Sequence, residues 1–175
     1  LGDYALFASL QWHISSNLTF QPAFRVSYNT KYESPVTPSF NIKYELKNTI
    51  LRASYARGFR APSLKELYRQ FYDSNHQIEG NDELVAERSH NFNLNLNNSS
   101  TLLSRPMKVK VNVYYNIIED RISLVQVDPD NPLHYRNENT DHFESVGGDI
   151  TLGIFPIRNL SLDGGFSYIG RKDSY

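Results

Sequence analysis

Cysteine is absent from all 175 residues, which excludes disulfides, thiol nucleophiles and cysteine-ligated zinc. No apolar run approaches the roughly 20 residues that a membrane-crossing helix needs. Neither charge is in excess, since 18 Lys and Arg face 19 Asp and Glu for a net charge of -1, and a chain without a basic face lacks the footprint of a nucleic-acid binder. No P-loop, dinucleotide-binding glycine pattern or His-Glu-x-x-His helix occurs, and no Ser, His and Asp set can be nominated as a triad, so no enzyme is expected. A signal peptide and an initiator methionine are missing too, and the pattern is already under way at Leu1, as in an excised segment. The mean hydropathy of -0.52 would suit a soluble protein, yet strands that are apolar only at alternate positions average to the same value.

Such alternation is what the chain has in place of those features. Tyr4, Leu6, Ala8, Leu10, Trp12 and Ile14 oppose Asp3, Ser9, Gln11 and His13, and Leu18 to Tyr28 repeats the period of two. Further runs follow at Phe40 to Leu46, Leu51 to Tyr55, Phe92 to Leu96, Met107 to Ile117, Val146 to Ile154 and Leu160 to Tyr168. The pattern predicts an all-β fold of about eight antiparallel up-and-down strands. Tyr4, Trp12, Tyr28, Tyr44, Tyr55 and Tyr168 fall near the ends of the apolar faces, as interfacial aromatics do. The strands around 121–127 and 134–143 run on past the apolar band into polar sequence.

The connections sort by length. They are short at Ser15 to Asn17, Lys47-Asn48 and Pro156 to Asn159, intermediate at Asn98 to Arg105, and long at Asn29 to Thr37, at 58–86 and around Asp128-Pro129-Asp130-Asn131-Pro132. Long loops on one side and short turns on the other are the habit of an up-and-down membrane barrel. The competing architecture is a soluble or surface-exposed β-rich binding module whose apolar faces close into a sandwich core.

Region 58–86 carries the most specific signal. Gly58 and Pro62 stop a strand; Ser63 and Glu66 make a capping-box pair; and Leu64, Leu67, Tyr68 and Phe71 fall on one face of a short predicted helix. The run Gly58-Phe59-Arg60-Ala61-Pro62-Ser63-Leu64-Lys65-Glu66-Leu67-Tyr68, then Gly80-Asn81-x-x-Leu84, then Glu87-Arg88-Ser89 entering an alternating strand, resembles the TonB-dependent outer-membrane receptors. Weaker support comes from Val113 to Ile122, Tyr135-Arg136-Asn137 and Gly147-Gly148-Asp149-Ile150. The resemblance implies that residues 1–175 are a partial β-barrel domain in the cell outer membrane, part of a roughly 22-stranded transmembrane barrel whose plug domain and other strands lie elsewhere. Residues 58–86 would be a long extracellular loop with a short helix. Function would be that of a receptor and transporter segment for TonB-energised uptake of a scarce nutrient complex: haem, a ferric siderophore or cobalamin. Implied partners are outer-membrane lipid, the TonB complex through the plug, and the nutrient complex or its carrier protein.

His76 lies between the Phe59-Arg60-Ala61-Pro62 and Asn81-Asp82-Glu83-Leu84 boxes, where haem receptors of the family are similar in carrying a histidine. It is a candidate axial ligand for haem iron, against the plainer reading of an ordinary loop histidine, and Asp82 stands where the family pattern has proline. Tyr68, Phe71 and Tyr72 either stack on a flat cargo or pack the loop. Arg57 and Arg60 either meet an anion or hold the loop through a carboxylate such as Glu66 or Glu87. Phe59, Ala61, Pro62, Gly80, Asn81 and Leu84 complete the motif as structural residues. Asp128, Asp130 and Asn131 read as a turn, and His142 shares a strand face with Glu144 but not with Asp141. No resident metal or cofactor is expected, haem entering only as transported ligand.

Overall fold

The computed structural model describes residues 2–157 and 159–174. β1 (Asp3–Ser9) and β2 (Trp12–His13) are two pieces of one strand, both antiparallel to β3 (Leu18–Asn29). The break has a covalent cause. Leu10 N–H still donates to the Pro22 carbonyl at 3.0 Å, but Pro22 has no N–H with which to return the bond. β4 (Thr37–Leu46) and β5 (Thr49–Arg60) continue the meander. The long connection then inserts α1 (Leu64–Tyr68), β6 (Gln70–Tyr72) and β7 (Gln77–Glu79). The meander resumes with β8 (Glu87–Leu102), β9 (Arg105–Gln126), β10 (His134–Ile157) and β11 (Leu160–Ser174), each antiparallel to the one before, with β8 antiparallel to β5. All belong to one sheet, in which β7 adds to β10 as the parallel pair.

Counting β1 and β2 together and setting the β6–β7 hairpin aside leaves eight long strands, as the alternation implies. Registers hold the alternating apolar positions of neighbouring strands on one face, with exceptions such as Phe7, Ile50 and Ile169 on the other. The row Pro22, Phe40, Tyr55, Phe92, Tyr115, Val146 and Gly170 is continuous from β3 to β11. The apolar band crosses these rows at a slant. In β3 it extends to Tyr28, six residues past the row on the loop side, and in β11 it ends at Tyr168, two residues short of it. Eight residues of stagger over six strand steps, at ~3.3 Å rise and ~4.8 Å spacing, tilt the strands by roughly 40° from the band's normal. Membrane barrels need roughly 35–45°. A sandwich would require a second sheet over the apolar face; the described residues form one sheet, and Leu6, Phe24, Leu94 and Phe166 on that face are exposed.

At one end the connections are tight: Lys47-Asn48, with Lys47 at φ 46°, and Leu103-Ser104, with φ 51° and 61°, the positive pair of a type I′ hairpin. The other end carries the connections 30–36, 61–86 and 127–133. Four expectations need correction. Asn98 to Thr101 is strand, because pairing to β9 continues through the polar residues to Leu102↔Arg105. Gly58 does not stop β5; it faces Ser89, whose Oγ would lie 2.3 Å from an added Cβ. The helix ends at Tyr68 because Arg69 turns extended (φ -67°, ψ 131°), so Phe71 lies in β6 and not on the helical face. Pro156 belongs to β10, within a register shift between Ile154 and Ile157, and Arg158 of the Pro156 to Asn159 turn lies outside the described residues.

Candidate functional site

A five-residue helix is too short to persist by its own hydrogen bonds, so α1 needs external support. Ser63 caps it: Ser63 Oγ accepts from Glu66 N at 3.3 Å, while Ser63 N donates to Glu66 Oε2 at 2.7 Å. The chain then doubles back through β6 and β7. Gly80 lies so close to the helix that an added Cβ would sit 2.6 Å from the Leu67 carbonyl. Gly80 N donates to Arg69 O at 2.6 Å and Asn81 N to Glu66 O at 2.9 Å, closing orphan carbonyls of the last helical turn. Leu67 and Leu84, each 2 % exposed, are the buried apolar core among the described residues.

Arg60, the last residue of β5, ties this unit to the sheet. Its Nε and Nη2 donate to Glu87 at 2.6 Å each, and its Nη1 donates to both Glu66 oxygens at 3.0 and 2.9 Å. Glu87 Oε1 also accepts from Ile122 N at 2.8 Å. One guanidinium therefore joins β5, α1, β8 and β9, using the planar fork that lysine lacks. Partial burial pushes Glu66 up, but the Arg60 bond and the Ser63 bonds outweigh it and hold the carboxyl below the usual glutamate range. The far side of the loop docks on β10. Asn81 Nδ2 donates to Glu138 Oε2 at 3.1 Å, and Asn137 Nδ2 donates to Glu66 O at 3.3 Å. The Asn139 amide accepts from Val85 N at 2.9 Å and donates to Val85 O at 3.2 Å, acting as one more backbone rung.

The four candidate contact residues each have their own partner. Tyr68 has the Lys31 ammonium 5.9 Å from its ring, and Phe71 has the Arg69 guanidinium at 5.1 Å. Tyr72 donates to Glu79 at 2.7 Å, which pushes the phenol up, and Glu79 also lies 3.4 Å from His134 Nε2. His76 is at the tip of the β6–β7 hairpin, where Asp73 Oδ1 accepts its N–H at 2.6 Å and that of Asn75 at 2.7 Å. Its ring is 57 % exposed, with Nδ1 3.5 Å from the same carboxylate. Asp82 offers its carbonyl to Lys31 Nζ at 3.1 Å. His142 Nε2 meets Glu144 at 2.9 Å on one face, and no group of three or more metal-ligating side chains occurs among the described residues.

On the polar face at the loop end, a cavity of about 490 Å³ opens beside the Arg60 junction. Arg25, Asp3, Asn29, Thr37, Gly58 and Arg60 line it. Arg25 is 4.0 Å from Asp3 and more than half exposed, so a second charge-assisted partner can reach it.

A family model described as TonB dependent receptor-like, beta-barrel, matches residues 2–175. The chain belongs to the TonB-dependent receptors. Among solved structures, the siderophore receptor PirA from Pseudomonas aeruginosa aligns with TM-score 0.80 at 19 % identity, over 98 % of this chain and 32 % of that one. A mutant of the ferric enterobactin receptor PfeA from the same organism, in complex with enterobactin, aligns with TM-score 0.76 at 21 % identity, over 95 % and 26 %. The FrpB iron transporter from Neisseria meningitidis gives TM-score 0.68 at 16 % identity, over 98 % and 26 %. No curated protein matches the chain. The segment thus spans a quarter to a third of these receptors' lengths.

Membership in the TonB-dependent receptors places the chain in the outer membrane. A barrel in that membrane turns its apolar face outward, and exposed Leu6, Phe24, Ile42, Leu94, Val113 and Phe166 would be an unmatched patch in water. Sequence reasoning had no hold on Glu138, Asn139 or the Ile122 N–H. Amides and backbone donors acting across 54 residues of separation leave no local pattern.

Proposed function

We propose that the intact receptor, of which this chain is a wall segment, takes up a scarce nutrient complex with energy delivered through TonB, and that the segment does no chemistry of its own. The observation carrying this reading is a loop pinned at its base by Arg60, Glu66 and Glu87 while Tyr68, Tyr72 and His76 above remain exposed. A pinned loop presents its side chains without the ordering cost of a mobile one. The cargo is a haem, a ferric siderophore or a cobalamin. It meets Tyr68, Phe71, Tyr72 and His76 on the outer side, His76 being the axial ligand if the cargo is haem, and passes to the polar face where Arg25 suits an anionic chelate. Siderophore binding by PirA and PfeA, as their names state, supports the chelate reading.

The test uses the full-length receptor with hemin, a ferric catecholate siderophore and cyanocobalamin as probes. Binding of one probe at micromolar or tighter Kd, reduced at least about tenfold (about 1.4 kcal/mol) in Tyr68→Ala/Tyr72→Ala/His76→Ala, is expected. Failure of all three probes to bind, or equal binding by the triple variant, contradicts it.

A further inference from the structure

The polar face of the sheet carries a second cavity, nearer the tight turns than the one beside Arg60. It holds about 330 Å³ and is lined by Gln21, Asn41, Lys43, Arg52, Ser54 and Asn95. Thr19, Lys43, Arg52 and Asn95 stand in one row across β3, β4, β5 and β8, each paired with the next. Lys43 gives its ammonium to Glu45 at 2.7 Å. Arg52 is exposed and enters no ion pair among the described residues, and no carboxylate lines the cavity among them. A guanidinium fork without a counter-charge, ringed by amides and hydroxyls, suits an oxygen anion.

The two cavities lie on the same strands, β3, β4 and β5. Arg25 and Thr19 are six residues apart in β3, so the rows of the two free guanidiniums are separated by roughly 20 Å along the strands. Between them the row Ser9, Ala23, Ser39 and Ala56 crosses β1, β3, β4 and β5 with no side chain larger than serine. The rows on either side carry Arg25, Gln21 and Asn41, so the wall is thinnest where a molecule leaving one cavity would cross to the other. The two ends also differ in charge. Arg25 already has Asp3 at 4.0 Å, whereas Arg52 has no carboxylate, so an anion is attracted onward from the loop end to the tight-turn end.

We propose that the cavity at Arg52 is a second subsite for the cargo, taking the anionic oxygens of a metal chelate after they leave Arg25 and before they pass the tight-turn end. The subsite rests on the anionic-chelate reading above and on the loop end facing outward. Its task is transit and not capture. The loop and the Arg25 cavity set affinity at the surface, and Arg52 sets how fast bound chelate moves on.

The full-length receptor, in cells that have no other route for a ferric tris-catecholate, is assayed with that anionic chelate carrying radiolabelled iron, first for binding to de-energised cells and then for uptake by energised ones. Arg52→Gln is expected to bind with the wild-type Kd and to take up the chelate at least about fivefold more slowly. Arg52→Lys, which keeps the charge, should recover most of the rate. Arg25→Gln should instead weaken binding, by about tenfold in Kd. Lys110→Gln removes a cation of the same face that lines neither cavity and should change neither readout. Wild type that fails to bind the chelate contradicts the cargo reading itself, and the subsite with it. Where wild type binds, uptake by Arg52→Gln at the wild-type rate, an equal loss in Lys110→Gln, or no recovery in Arg52→Lys overturns the subsite alone. Entry of vancomycin into Arg52→Gln cells overturns it too, and would assign the guanidinium to holding the plug.

Discussion

The wall and the loop of this segment are stabilised by opposite means. In the wall, side chains such as Leu94, Val113, Ile150 and Phe166 are about half exposed or more, and order comes from long ladders, with β9 and β10 keeping one register from Met107↔Ile154 to Gln126↔Tyr135. With no second apolar layer among the described residues, the backbone groups are satisfied within the sheet itself. In the 61–86 loop there is no long ladder. A miniature soluble-type unit replaces it, with two buried leucines, a capped helix and one arginine shared between two carboxylates. The wall tolerates any apolar residue in register, whereas the loop depends on individual residues, which is why the specific sequence signature concentrates in the loop.

Substitutions that fall on only one of the two regions sharpen this contrast. Leu94→Arg, in the middle of the lipid-facing band, should destabilise the full-length receptor by about 2–4 kcal/mol, while Asn93→Arg on the opposite face should be near neutral; urea unfolding in lipid bilayers measures both. Leu84→Ala should cost about 2–3 kcal/mol, all of it local, seen as faster hydrogen exchange across 64–85 with exchange in β8 to β10 unchanged. Glu87→Gln keeps an acceptor but removes the charge facing Arg60, and should cost about 1–2 kcal/mol, read as several-fold faster proteolytic nicking within 61–86. The smallest effect is acidic. Because Glu66 is held below its ordinary range, its share of the anchor is complete above about pH 4.3 and is lost as pH falls through the lowered folded value. Nicking should therefore be flat from neutral pH to about 5 and rise below about 4.

The wall was almost wholly legible, since period two, once set, also fixes which face each residue takes. What alternation could not show is where pairing outlasts hydropathy: Asn98 to Thr101 stay in β8 because β9 continues opposite them, and β5 passes Gly58 because Ser89 occupies the space of its missing side chain. In the loop, the Ser63 and Glu66 cap was readable because its partners are three residues apart. Phe71 was misassigned to the helix because the spacing rule cannot see Arg69 turn extended. The parallel union of the β6–β7 hairpin with β10 joins segments more than 50 residues apart, and nothing in either segment announces the other.

The central claim is a wall that crosses the outer membrane with its tight turns inside and the pinned loop outside. Single cysteines placed at His76 and at Asn48 in the otherwise cysteine-free segment of the full-length receptor, treated with a membrane-impermeant maleimide on intact and on lysed cells, test it directly. Labelling of position 76 on intact cells, with position 48 reactive only after lysis, is the expected result. Equal labelling of both on intact cells, or labelling of 48 alone, would contradict it.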